Sequence, residues 1–102
     1  MTKGKLHHIE LYVHDLNQSI EFWNWLLTEK FGYKLLSHTL KNRSWTLDGC
    51  EISLIQTLMN YLEPSYNRRR TGLNHIAFDG GSKAQVDELA AELKERRIPL
   101  LY

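Results

Sequence analysis

The sequence predicts an α+β fold built from two successive βαβββ units, the second stopping after its helix. Three observations predict it. A short pattern recurs: residues 6–11 read LHHIEL and residues 73–78 read LNHIAF, at an offset of 67 residues. Each copy is followed by the same helix start, because Asp15 lies seven residues after His8 and Ser82 lies seven after His75. Both positions suit an N-cap, with Gln18 and Gln85 three residues further on in a capping-box arrangement. Between the copies, three runs alternate as strands do. A repeat of this kind constrains the architecture before any single element is assigned.

The first copy reads through in order. Residues 5–13 alternate as a strand, with Leu6, His8, Glu10 and Tyr12 on one face and His7, Ile9, Leu11 and Val13 on the other. Residues 16–30 form an amphipathic helix, with Leu16, Ile20, Trp23 and Leu27 at helical spacing. Gly32 is placed to end it. Strands follow at residues 33–40, 43–48 and 51–57, with Lys41-Asn42 as a tight turn and Asp48-Gly49 as a stronger hairpin signal.

The chain is thus one domain: module one at residues 5–57, a connector at 58–72, and a partial module two at 73–102. The second module opens with a strand at residues 73–78 and a helix at about 83–96, with Val86, Leu89, Ala90 and Leu93 inward. Asp87 and Glu88 sit early in that helix and Lys94, Arg96 and Arg97 late, matching the helix dipole. Residues 99–102 begin a further strand. By the repeat offset Tyr102 matches Leu35, so residues 36–57 have no counterpart in the second copy. A sheet stopping there exposes an edge that proteins normally pair or cover, which predicts a homodimer or a piece of a longer chain.

Composition narrows the function classes. A 102-residue chain with 42% hydrophobic and 25% charged residues is ordinary globular material. A net charge of +1 argues against nucleic acid or an anionic membrane as the main partner. No apolar run reaches the roughly 18 residues of a membrane span, and the opening MTKGKLHH has no apolar leader region. A single cysteine, Cys50, predicts a reducing, cytoplasmic setting and carries no sign of reactivity.

With LHHIELYVHDLNQSIEFWNWLL in the first copy and GLNHIAF in the second, the chain resembles the vicinal oxygen chelate superfamily over residues 6–102. That group includes glyoxalase I, extradiol dioxygenases, fosfomycin-resistance enzymes and bleomycin-resistance proteins. The resemblance implies paired βαβββ modules curving into a half-open barrel around a divalent metal that chelates two neighbouring substrate oxygens. It implies ligands on the first and last strands of each module, matching His8, His75 and, on the last strand of module one, Gln56. The ligand on the last strand of module two is usually Glu, and that strand is absent here.

The residue chemistry is compatible. Neutral imidazole suits Zn, Fe, Mn or Ni, and a catalytic site needs about three protein ligands plus open positions. His8 and His75 supply two. Glu10 shares a strand face with His8 and offers a third ligand, a base or a second hydrogen-bonding layer. Gln56 offers a ligand or a polar cavity wall. His7 falls on the apolar-facing side, and His14 and His38 read as surface residues. Arg68, Arg69 and Arg70 read as a solvated connector. Phe22, Trp23 and Trp25 exceed one inward stripe, so some of them pack against another element or subunit. Trp45 reads as core, with the cavity wall as its alternative place.

Two function classes follow. One is a metal-dependent lyase, dioxygenase or transferase acting on a small oxygenated molecule. The other is a non-catalytic module that sequesters a small-molecule ligand, as bleomycin-resistance proteins do.

Overall fold

The computed structural model describes residues 3–99. The chain divides into two compact units, Met1–Tyr66 and Asn67–Tyr102, with the division inside the expected connector.

The first unit is the predicted βαβββ module. Its elements are β1 (His8–Val13), α1 (Leu16–Asn24), a π-helical segment (Trp25–Lys30), β2 (Lys34–His38), β3 (Asn42–Leu47) and β4 (Cys50–Gln56), followed by a 3-10 turn at Met59–Tyr61. The four strands form one sheet in the order β1-β4-β3-β2, which does not close into a barrel. β1 runs parallel to β4, whereas β3 is antiparallel to both β4 and β2. The parallel neighbour is possible because α1 and two strands separate β1 from β4 in sequence, enough chain for a crossover.

Local chemistry sets these boundaries. The Asp15 carboxylate accepts the Gln18 N–H at 3.2 Å and starts α1. The expected single α-helix over residues 16–30 changes register at Trp25, where the Phe31 N–H reaches back five residues to the Leu26 carbonyl at 3.1 Å. The wider turn brings Trp25, Leu26 and Leu27, three consecutive residues, under cover. Gly32 ends the element with φ +77°, as a left-handed stop. Asp48 and Gly49 both carry positive φ, 50° and 80°, which makes the β3–β4 connection a two-residue hairpin turn of the type that matches strand twist.

The core lies between α1 with its π segment and one face of the sheet. Leu16, Trp25, Leu26, Leu27, Trp45, Ile52 and Leu54 are all buried there. Trp45 is fully buried, and its indole N–H donates to Asn24 Oδ1 at 3.0 Å. The three helix aromatics divide as the stripe argument requires. Trp25 enters the core beneath Lys30, while Phe22 and Trp23 are half-buried and meet edge-on with ring centres 5.7 Å apart.

The second unit holds α2 (Lys83–Glu95) with a complete capping box. Ser82 Oγ accepts the Gln85 N–H at 3.2 Å, and Gln85 Oε1 accepts the Ser82 N–H at 2.8 Å. None of its residues is fully buried; Leu89 and Leu93 are half-buried, whereas Val86 and Ala90 are exposed. The expected strand at residues 73–78 does not form: residues 73–80 carry no strand among the described residues. A strand exists only as one half of a hydrogen-bonded ladder, and alternation in sequence does not supply the other half. The expected strand at residues 99–102 lies outside the described residues apart from Pro99.

Candidate functional site

One face of the first unit's sheet is polar, open along β1 and closed over Ser44 and Ser53 at its centre. Along β1 exposure alternates, with His8, Glu10 and Tyr12 exposed and Ile9, Leu11 and Val13 half-buried. Paired residues of adjacent strands share a face. The register sets His8 opposite Glu51, and Glu51 opposite Thr46. One row along, Glu10 is opposite Ser53, Ser53 opposite Ser44, and Ser44 opposite Ser37. The outcome is two polar rows running across the sheet, with Tyr12 and Ile55 beyond them.

Hydrogen bonds organise this face. Ser53 Oγ donates to Glu51 Oε2 at 3.0 Å, and the hydroxyls of Ser37 and Ser44 are 2.7 Å apart. Ser44 and Ser53 are buried, and the Ser37 hydroxyl and the Glu51 carboxylate respectively satisfy hydroxyls that would otherwise cost stability. His7 and His8 meet edge-on with their Nδ1 atoms 3.0 Å apart, one donating to the other. When His8 is the donor, its Nε2 keeps a lone pair for a proton or an ion. In the second unit, His75 Nδ1 donates to Asn74 Oδ1 at 2.8 Å, which fixes the tautomer and leaves Nε2 as an acceptor.

Gln56 is elsewhere. It pairs with Val13 and therefore belongs to the helix-facing side of the sheet. Its Oε1 accepts the Leu16 N–H at 2.8 Å, and its Nε2 donates to the carbonyls of His14 at 2.9 Å and Thr57 at 3.2 Å. Gln56, expected as a third ligand or a polar cavity wall, has its amide engaged here by Leu16, His14 and Thr57. The polar β4 residues that share the face of His8 are Glu51 and Ser53, which the sequence reading passed over. Strand parity was the available signal: in CEISLIQ, Ile52 and Leu54 are the core positions, and Gln56 has the same parity as they do.

Residues 7–102 match the family model described as the glyoxalase/bleomycin resistance protein/dioxygenase superfamily. The chain belongs to this superfamily. Over 97 residues it is 43% identical to YqjT of Bacillus subtilis, a protein without an assigned activity, covering 95% of this chain and 75% of that one. A crystal structure from Bacillus halodurans, whose glyoxalase assignment is provisional, is 41% identical, with a TM-score of 0.95 over 98% of this chain and 74% of the other. A lactoylglutathione lyase from Agrobacterium tumefaciens shares the fold at 17% identity and a TM-score of 0.64, covering 100% of this chain and 77% of the other.

Superfamily membership raises the question of a metal, and the donors can be tested against it one unit at a time. Among the described residues neither unit gathers three or more His, Cys, Asp or Glu side chains into a cluster. The first unit nevertheless sets one imidazole and two carboxylates, His8, Glu10 and Glu51, on one open strand face. The donor types suit a first-row divalent ion, although the three side chains do not converge into one cluster here. His75, with its Nδ1 bound by Asn74, has the second hydrogen bond that ligating histidines usually carry. Among the described residues no helix is long and apolar enough to cross a membrane.

Proposed function

We propose that the protein is a metal-dependent enzyme of the superfamily, a lyase, dioxygenase or transferase that acts on a small oxygenated molecule, with His8 and His75 as metal ligands. The observation that carries this reading is His8 on the open face, opposite Glu51 and beside Glu10. A divalent ion there would supply Lewis acidity toward two neighbouring substrate oxygens. The rest falls to the chain's own groups. Glu51, its Oε2 held by Ser53, would orient or complete the donor set. Glu10, exposed on the same face, would hold or move a proton at a substrate carbon or oxygen. A homodimer in the cytoplasm belongs to the same proposal, supported by exposed apolar residues such as Leu40 and Met59 and by the lone thiol of Cys50.

A second reading, a non-catalytic small-molecule binder, draws support from Ser53. It stands opposite Glu10 on the face of His8, and its uncharged hydroxyl is committed to Glu51, so it brings no carboxylate ligand to that face. Metal analysis separates the two. The enzyme reading expects about one equivalent of Zn, Fe, Mn or Ni in the purified protein above pH 7, where imidazole is neutral. It expects loss of that metal in both His8→Ala and His75→Ala. Protein that takes up none of these ions above pH 7 would overturn it in favour of the binder.

A further inference from the structure

The face that carries His8 and Glu10 ends at Tyr12, and beyond Tyr12 the surface becomes concave. A recess of about 340 Å³ is lined by Tyr12, Thr57, Leu58 and Tyr61. A smaller pocket shares Tyr12, Thr57 and Tyr61 with it and adds His14 and Tyr66 among its walls. Neither lining contains Asp, Glu, Lys or Arg. Tyr12 and Tyr61 are 66% and 68% exposed, so both rings are available to a ligand.

The walls are held in place. Gln56 ties together the end of β1 through the His14 carbonyl, the end of β4 through the Thr57 carbonyl, and the start of α1 through the Leu16 N–H. The Thr57 N–H donates to the Val13 carbonyl at 3.0 Å, and the Tyr61 N–H donates to the Leu58 carbonyl at 2.9 Å. The recess is thus built on pinned backbone, so a ligand entering it orders the tyrosine side chains and no loop.

We propose that this recess binds a neutral aromatic group of one or two rings, phenol-like in chemistry. Two tyrosine rings and a leucine give flat apolar contact area, and the hydroxyls of Tyr12, Tyr61 and Thr57 can meet a single polar substituent. The lack of any charged lining residue disfavours carboxylates and ammonium ions, which would lose hydration without gaining a partner. The inference is independent of the metal: a protein that never binds an ion can still bind the ring.

The test is titration of the full 102-residue chain with phenol, followed by amide chemical shifts. Saturable shifts at Thr57, Leu58 and Tyr61 are expected, with cyclohexanol and benzoate each binding roughly fivefold or more weakly than phenol. Tyr61→Ala and Tyr12→Ala should weaken phenol by a similar factor, while Tyr61→Phe retains most of the binding. Absence of saturation, equal binding of cyclohexanol, or an unchanged Tyr61→Ala would each overturn the proposal. So would sedimentation showing a dimer that Tyr61→Ala dissociates, since a second copy would then occupy the recess.

Discussion

Trp45 Nε1 donates to Asn24 Oδ1 at 3.0 Å, and the same oxygen accepts the Thr28 hydroxyl at 3.2 Å. Asn24 is the last residue of α1, at the step into the π segment, and Trp45 is the fully buried centre of β3. One bond thus fixes where the helix changes register over the sheet. Trp45→Phe removes the donor and leaves a void where the larger ring stood. It should cost about 1–3 kcal/mol in urea unfolding, with the fold retained by circular dichroism.

Gln56→Leu tests the structural role of that side chain. The change leaves the Leu16 N–H and the His14 and Thr57 carbonyls without their present partner. A loss of about 1–3 kcal/mol is expected, the usual cost of orphaned, partly buried polar groups. Metal content should not follow Gln56. A Gln56→Leu protein that is fully stable but stripped of metal would support the ligand reading instead.

Gly49→Ala isolates a backbone effect. A Cβ at Gly49 meets nothing within 4 Å, so no clash arises, but φ is +80°. The penalty is therefore conformational, about 1–2 kcal/mol. Gly49→Asn should cost less, because asparagine tolerates the left-handed region. Equal costs for the two variants in thermal melts would contradict this account.

Tyr33 gives a pH signature. Burial, then the neighbouring Cys50 and Asp48, raise its phenol above the ordinary value of 10.0. The folded state therefore holds the proton more tightly than the unfolded chain does. The resulting stabilisation is fully present below pH about 10 and is lost as pH rises through the folded-state value. Melting temperature should fall above pH 10 in the native protein, and Tyr33→Phe should flatten part of that fall.

Much of the first unit was readable in one dimension. The faces of β1, the caps at Asp15 and Ser82, the glycine stop at Gly32 and the Asp48-Gly49 hairpin all depend on residues within a turn or two of one another. Local sterics and hydrogen bonding decide such features, so the sequence determines them by itself, and the repeat extended the reading to α2. Superfamily membership rested on the same short-range patterns.

What only the tertiary structure decided involves groups far apart in the chain. Gln56 meets Leu16 across 40 residues, and Trp45 meets Asn24 across 21, and no local rule encodes either contact. The parallel pairing that sets Glu51 opposite His8 is likewise a matter of register between distant strands. The π turn at Trp25 serves core packing over an α-helical pattern, and residues 73–78 show that alternation without a ladder partner does not make a strand. Side-chain type and spacing determined which surfaces could form, while long-range packing decided which polar groups share the face of His8.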